Sequence, residues 1–149
     1  MSKLVIDATG NDLTYRIIGA AMNVHNKLGP GYKEEIYERV LKNELISQEI
    51  EVADQFPLPV EVDGEQVGMF YLDLLVEGQV VVEIKAFAHQ LTNDEIAQVL
   101  NYLKATGLQV GLLLNFGRRK LEYRRIFPSK NIVSTQRIGR DDVWKSERK

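Results

Sequence analysis

The sequence predicts an α/β domain: a mixed sheet of about four or five strands with helices on its faces, in the order α-α-β-β-β-α-β-β. Three observations carry this. Two segments with helical spacing of apolar residues open the chain, separated by Gly29-Pro30-Gly31. A hairpin rich in Val, Leu and Ile, Tyr71 to Phe87, turns at Glu77-Gly78-Gln79. A capped helical segment then leads into "LQVGLLLNF", a wholly apolar run. A hairpin joined through a helix to a further strand implies a sheet with both parallel and antiparallel neighbours.

In the first segment, Asp12 to Leu28, the positions Leu13, Ile17, Ala20, Ala21, Val24 and Leu28 recur at helical spacing behind Asp12 as N-cap. Gly29 supplies a left-handed C-cap and Pro30 forbids continuation. A second helix is expected from about Tyr32 to Ser47, burying Ile36, Tyr37, Val40, Leu41 and Leu45 while Glu35, Glu38, Arg39 and Lys42 face out. Three strands follow. The first lies within Ile50 to Val62, where Pro57 and Pro59 mark an edge or a break; "VDGEQ" turns it into the second, Val67 to Val76; the third is Val80 to Ala86. "TNDEIAQVLNYLKATG" reads as a helix capped by Thr92 or Asn93, with Asp94 and Glu95 in its first turn, and it closes on Gly107. Ile96, Val99 and Leu103 form its packing stripe, and Gln98 and Tyr102 share another face. "LQVGLLLNF" and the more exposed "KLEYRRIF" are the last strands. Residues 1–128 form a single domain on this reading, followed by a basic C-terminal tail, 129–149, without periodicity.

The 149 residues are 44% hydrophobic and 27% charged, an ordinary globular composition. The absence of cysteine excludes a disulfide framework and a thiolate metal site, and fits a reducing compartment. No apolar run approaches the roughly 18 residues of a membrane span, and "MSKLVIDATGND" lacks a signal-peptide core. A cytoplasmic protein without a membrane partner is expected. The net charge of −2 hides an asymmetry: residues 1–115 carry 8 Lys/Arg against 17 Asp/Glu, and residues 116–149 carry 11 against 4. The basic section, with Arg118, Arg119, Lys120 and Arg124 in "GRRKLEYRRIF", is either a phosphate-binding surface or a solvated stretch that keeps the chain soluble.

The hairpin carries charges where a buried strand should have none: Asp73, Glu83 and Lys85. Side chains alternate along a strand, so Glu83 and Lys85 share one face. A three-residue turn at 77–79 places Asp73 opposite Glu83, whereas a two-residue turn places it opposite Ile84. Opposed carboxylates are destabilising unless a cation lies between them. That cation is either Lys85, in a plain salt-bridge cluster, or a metal. Hard oxygen ligands without Cys or His suit Mg²⁺ or Mn²⁺, and a lysine beside such an ion can orient a water or stabilise charge at phosphorus.

Asp73, nine residues, then Glu83-Ile84-Lys85 resembles the Asp…Glu-x-Lys motif of the PD-(D/E)XK nuclease superfamily. "GYKEEIY" fits Gly-x-x-Glu-x-x-Tyr at Gly31, Glu34 and Tyr37, and with "VHNKLGPG", holding His25, it is similar to the GxxExxY protein family. The resemblance covers roughly Leu13 to Ile126. It implies a restriction-endonuclease-like fold and Mg²⁺-dependent (or Mn²⁺-dependent) hydrolysis of phosphodiester bonds in nucleic acid, DNA ahead of RNA. It also implies action as a homodimer or with a partner protein. Asp73 and Glu83 would be metal ligands, Lys85 the catalytic lysine and Glu34 the additional acidic ligand. Gln98 and Tyr102 look like the Gln-x-x-x-Tyr of the RecB-like branch, supporting the site or touching substrate. Leu72 stands where the motif's name has proline, a position that is often not proline.

Each position also has a plain structural explanation. Glu34 in a first helical turn is favoured by the macrodipole alone, by about 0.3–1 kcal/mol. Tyr37 at helical spacing is a core aromatic before it is a site residue. His25 suits a hydrogen bond near the Gly-Pro-Gly turn, and His89 a loop. The rival to an enzyme is a non-catalytic nucleic-acid-binding or protein-interaction module that retains the fold, or a structural partner in an assembly.

Overall fold

The structure is a computed structural model that describes residues 11–128. The expected tail, 129–149, lies outside the described residues. The elements follow in the expected order: α1 (Asn11–Leu28), α2 (Glu34–Ser47), β1 (Val52–Val62), β2 (Glu65–Val76), β3 (Val80–Lys85), α3 (Asn93–Thr106), β4 (Val110–Asn115) and β5 (Glu122–Ile126). Asp12 lies in the first turn of α1, not at its cap. α1 ends as expected: the Gly29 N–H donates to the His25 carbonyl at 2.8 Å, with Gly29 at φ 69°. α2 begins only at Glu34, because Lys33 before it is extended (φ −75°, ψ 156°). α3 carries a reciprocal capping box between Thr92 and Glu95 and stops at left-handed Gly107.

The five strands lie in sequence order, and only the β3–β4 pair is parallel, with α3 as the crossover between them. Helices cover both faces. On one, α1 and α2 bury Leu13, Ile17, Val24, Tyr37, Leu41 and Leu45 against Leu74, Val82, Ile84, Leu112, Leu114 and Phe116. On the other, α3 packs Val99, Tyr102 and Leu103 against Leu72, Val81, Leu113 and Ile126. Burial on both faces explains the apolar run of β4 and the Val80-Val81-Val82 start of β3.

Three expectations about side chains are corrected. Ile36 is 40% exposed, because α2 packs through the single stripe Tyr37, Leu41, Leu45. Glu38 is half-buried instead of facing out. Tyr102 joins the α3 core rather than a separate face. The long β1–β2 ribbon, whose Leu58 belongs to that core, leans over α3, and Phe70 meets the Tyr102 ring edge-on at 5.2 Å.

The hairpin turn uses three residues, so that Val76 pairs with Val80, Leu75 with Val81 and Leu74 with Val82. There the β2–β3 ladder stops. The facing of β2 changes at the same place: Leu74 and Val76 pack towards α1 and α2, but Leu72, of the same parity, packs towards α3. The residue at the break is Asp73.

Gly111 of β4 lets α3 approach the sheet. A β-carbon there would lie 2.6 Å from Val99 Cγ1, and a β-branched side chain in a helix has little freedom to turn away. Replacing Gly111 with Ala is expected to destabilise the fold by about 1–3 kcal/mol, the usual cost of overpacking, as read from urea denaturation midpoints.

Candidate functional site

One more residue of the three-residue register would set Asp73 opposite Glu83. Instead the strands part, and the Ile84 N–H donates to Asp73 Oδ2 at 2.8 Å. A side-chain carboxylate thus takes the bond that a backbone carbonyl would accept in a continued ladder. Glu83 is buried, on the α3 side of the sheet next to Leu113 of β4. Its Oε2 lies 3.3 Å from Lys85 Nζ, and its buried Oε1 has no hydrogen-bond partner among the described residues.

Two carboxylates and one lysine in a half-buried fork have predictable electrostatics. Burial, then the charge of Asp73, push Glu83 up to about 8, and Lys85 only partly offsets them. Burial also raises Asp73 against the hydrogen bonds from Ile84 and Gln55. Glu38 is raised in turn, first by burial and next by Asp73 and Asp54 against its bond from Gln55. The connection is direct: Gln55 Nε2 lies 3.0–3.1 Å from the Glu38 carboxylate and 3.4 Å from Asp73 Oδ1.

The structure therefore brings together Asp73, Glu83 and Lys85, and adds Gln55 and Glu38, which sequence reasoning missed. Glu38 follows Glu34 by one helical turn and so shares its face, a signal that was available. Gln55 left no such mark. Glu34 is exposed, and its charge is the smallest of the contributions that raise Glu83. Among the described residues no three His, Asp or Glu side chains are gathered to hold one ion.

The remaining candidates stand around the pair. Tyr102 is pushed up to about 12 by burial and by the charge of Glu83, so its hydroxyl keeps its proton, and it accepts from Gln98 Nε2 at 2.8 Å. Tyr37 is a core residue: its ring stacks on Phe116 at 4.7 Å and its hydroxyl donates to the Gly29 carbonyl at 2.5 Å. The His25 Nε2–H donates to the Arg118 carbonyl at 2.8 Å, tying the end of α1 to the basic loop. Arg118, Arg119 and Lys120 are exposed in that loop, with Arg118 3.5 Å from Glu122, and Arg124 is exposed on β5. His89 is exposed and stacks on Phe87.

A five-stranded mixed sheet between helices, with an acidic pair and a lysine at the fork of its central hairpin, defines a class as well as a fold. The sequence matches the profile of the PD-(D/E)XK nuclease superfamily over residues 11–126. The chain belongs to that superfamily. The crystal structure of SSO0001 is similar in fold, with a TM-score of 0.50 at 15% identity over 63% of this chain and 49% of that one. The similarity thus spans about half the length of that protein. No curated protein matches the sequence significantly.

Members of the superfamily generally use divalent metals. The residues present fit such an ion: both carboxylates offer hard oxygens, and the unpartnered buried Glu83 Oε1 is a group that calls for a cation or a proton. Without metal the proton takes that role, and this sets a sign. Folded Glu83 holds its proton up to about 8, whereas its ordinary value is 4.5, so between these pH values the folded state binds more protons and stability falls as pH rises. Asp73 and Glu38, also raised, act in the same sense. Thermal melts in EDTA are expected to show Tm falling across this window, with a shallower fall in Glu83→Gln.

Proposed function

We propose that this chain is a Mg²⁺- or Mn²⁺-dependent nuclease that hydrolyses phosphodiester bonds, in DNA ahead of RNA. The observation that carries the proposal is the buried, unpartnered Glu83 Oε1 beside Asp73 and Lys85, at the place where two neighbouring strands part. Gly31, Glu34 and Tyr37 support a finer placement within the GxxExxY group.

Asp73 and Glu83 would hold the ion, and Glu34, exposed at the start of α2, would have to swing in to complete the set. When bound, the metal supplies charge stabilisation at phosphorus and a more acidic water. Lys85, its side chain only 16% exposed, has an ammonium that donates to a non-bridging phosphate oxygen or to the attacking water. The protonated Tyr102 hydroxyl, already accepting from Gln98, keeps its own proton for a substrate oxygen. Arg118, Arg119, Lys120 and Arg124 would hold the flanking backbone as point and fork charges, giving affinity without sequence preference.

The test is Mn²⁺-dependent cleavage of single- and double-stranded DNA and RNA, with loss of about 10²–10³-fold expected in Lys85→Ala. Melting of wild type and Asp73→Asn, each in EDTA and in Mn²⁺, separates the enzyme from the non-catalytic module. At an Mn²⁺ concentration of about a hundred times Kd, the wild type gains about 2.7 kcal/mol and Asp73→Asn gains nothing. Asp73→Asn is at least as stable as wild type in EDTA, because an uncharged side chain still accepts from Ile84 and no longer repels Glu83, which outweighs the loss of the long 3.4 Å bond from Gln55. A plain salt-bridge cluster gives the reverse: no metal response in the wild type and a less stable variant. Oligonucleotide affinity should fall steeply with salt, and charge reversal at Arg118, Arg119 and Arg124 should flatten the slope; an unchanged slope assigns these residues to solubility alone.

A further inference from the structure

Gln55 is the one residue of β1 that the β1–β2 ladder leaves unpaired. Asp54 pairs with Leu74 and Phe56 with Leu72, so Gln55 stands across from Asp73 without a ladder partner. Its backbone is at φ 48°, the left-handed region, inside an 11-residue strand. A side chain with a β-carbon is disfavoured there, and such outliers persist where surrounding contacts over-determine them. Those contacts are on both sides. Lys42 Nζ, 2.9 Å from Asp54 Oδ1, ties α2 to β1 one residue before the kink. Gln55 itself then bridges Glu38 of α2 and Asp73 of β2 through a single amide nitrogen.

An amide NH₂ carries two protons, enough to serve both carboxylates, and it brings no charge. Asp73 is consequently held at both oxygens, Oδ2 by the β3 backbone at 2.8 Å and Oδ1 by Gln55 at 3.4 Å. A carboxylate oxygen has two lone pairs, so Oδ1 keeps one for a cation while its direction is set by the amide. Residues in this position around metal ligands typically change metal affinity by about 10–100-fold when removed. We propose that Gln55 is a positioning residue of the acidic site: anchored by Glu38, it orients Asp73 Oδ1 towards the divalent ion. The proposal rests on the reading of Asp73 and Glu83 as metal ligands.

Two variants test it, because both relax the backbone while breaking the bridge. Gln55→Gly removes the side chain and the steric penalty together. Gln55→Asn tolerates the left-handed conformation and is one methylene too short to span Glu38 and Asp73. Both are expected to melt in EDTA at or above the wild-type temperature. Mn²⁺ affinity, measured by titration calorimetry on the full chain, is expected to weaken by about 10–100-fold. A residue that merely supports the fold cannot give this pairing of unchanged or higher stability with weaker metal binding. Unchanged Mn²⁺ affinity in both variants, or a loss that follows lowered EDTA stability in both, overturns the proposal. Asp73→Asn separates the two levels. Wild type that binds Mn²⁺ no better than Asp73→Asn overturns the metal reading and this inference with it, whereas metal binding lost in Asp73→Asn but intact in the Gln55 variants overturns this inference alone.

Discussion

The hydrogen bond from the Ile84 N–H to Asp73 Oδ2 fixes the fork on which the rest of the site depends. Where β2 leaves β3, a half-buried backbone donor would otherwise be left unpaired, a loss of about 1–3 kcal/mol. Asp73 supplies the acceptor, so the site's first carboxylate is part of the sheet's own hydrogen bonding. The same geometry places Glu83 beside it with one oxygen unpartnered. Burial then raises Glu83, Asp73 and Glu38 together, against Lys85 beside the first two and Lys42 near the third. The fold has thereby concentrated more potential negative charge at one point than its own cations neutralise, and it tolerates this only by holding protons or a metal.

Holding that arrangement still requires support at the end of the sheet where β3 and β4 finish side by side. Asn115, fully buried and paired with Lys85 across the parallel ladder, accepts from the Phe87 and Gly117 N–H groups and donates to the His89 carbonyl and to Glu122. Glu122 in turn accepts from the Leu91 N–H. This network satisfies a loop that leaves the lysine strand with few backbone partners of its own. On the opposite face, Tyr37 stacked on Phe116 locks the Gly-Pro-Gly turn against the start of the basic loop.

Much of this was legible because the sequence signals were local. The three residues Glu77-Gly78-Gln79 set the three strand pairs next to the turn, and Asp73 lies one residue beyond them, where the strands part and it accepts from the Ile84 N–H. Thr92 and Glu95 marked the start of α3, and the apolar run of β4 marked a strand covered on both faces. What escaped depended on contacts between elements distant in sequence. Gln55 is unremarkable in a strand until its backbone turns left-handed against Asp73, 18 residues away. Tyr102 was assigned to a free face because helical periodicity cannot foresee the β1–β2 ribbon folding over α3. Glu34, which a motif of spacing names, lies exposed in the first turn of α2, and Glu38 one turn further on meets Gln55.

The charge asymmetry along the chain acquires a spatial meaning through the parallel pairing of β3 and β4. An antiparallel neighbour would carry the chain back past the turn at residues 77–79; the parallel one ends beside Lys85, with the Phe116 N–H donating to the Lys85 carbonyl at 2.8 Å. Residues 118–120 therefore emerge at the same end of the sheet as the acidic fork, and His25 holds the Arg118 carbonyl there. An isolated cluster of carboxylates repels a phosphodiester, and a divalent ion cancels only part of that repulsion. On the nuclease reading proposed above, the three cations at 118–120, displaced along the same edge, would attract the flanking phosphates without neutralising the carboxylates themselves. The crossover helix α3 separates the acidic fork from the basic loop in sequence, and the parallel ladder brings them to one end of the sheet.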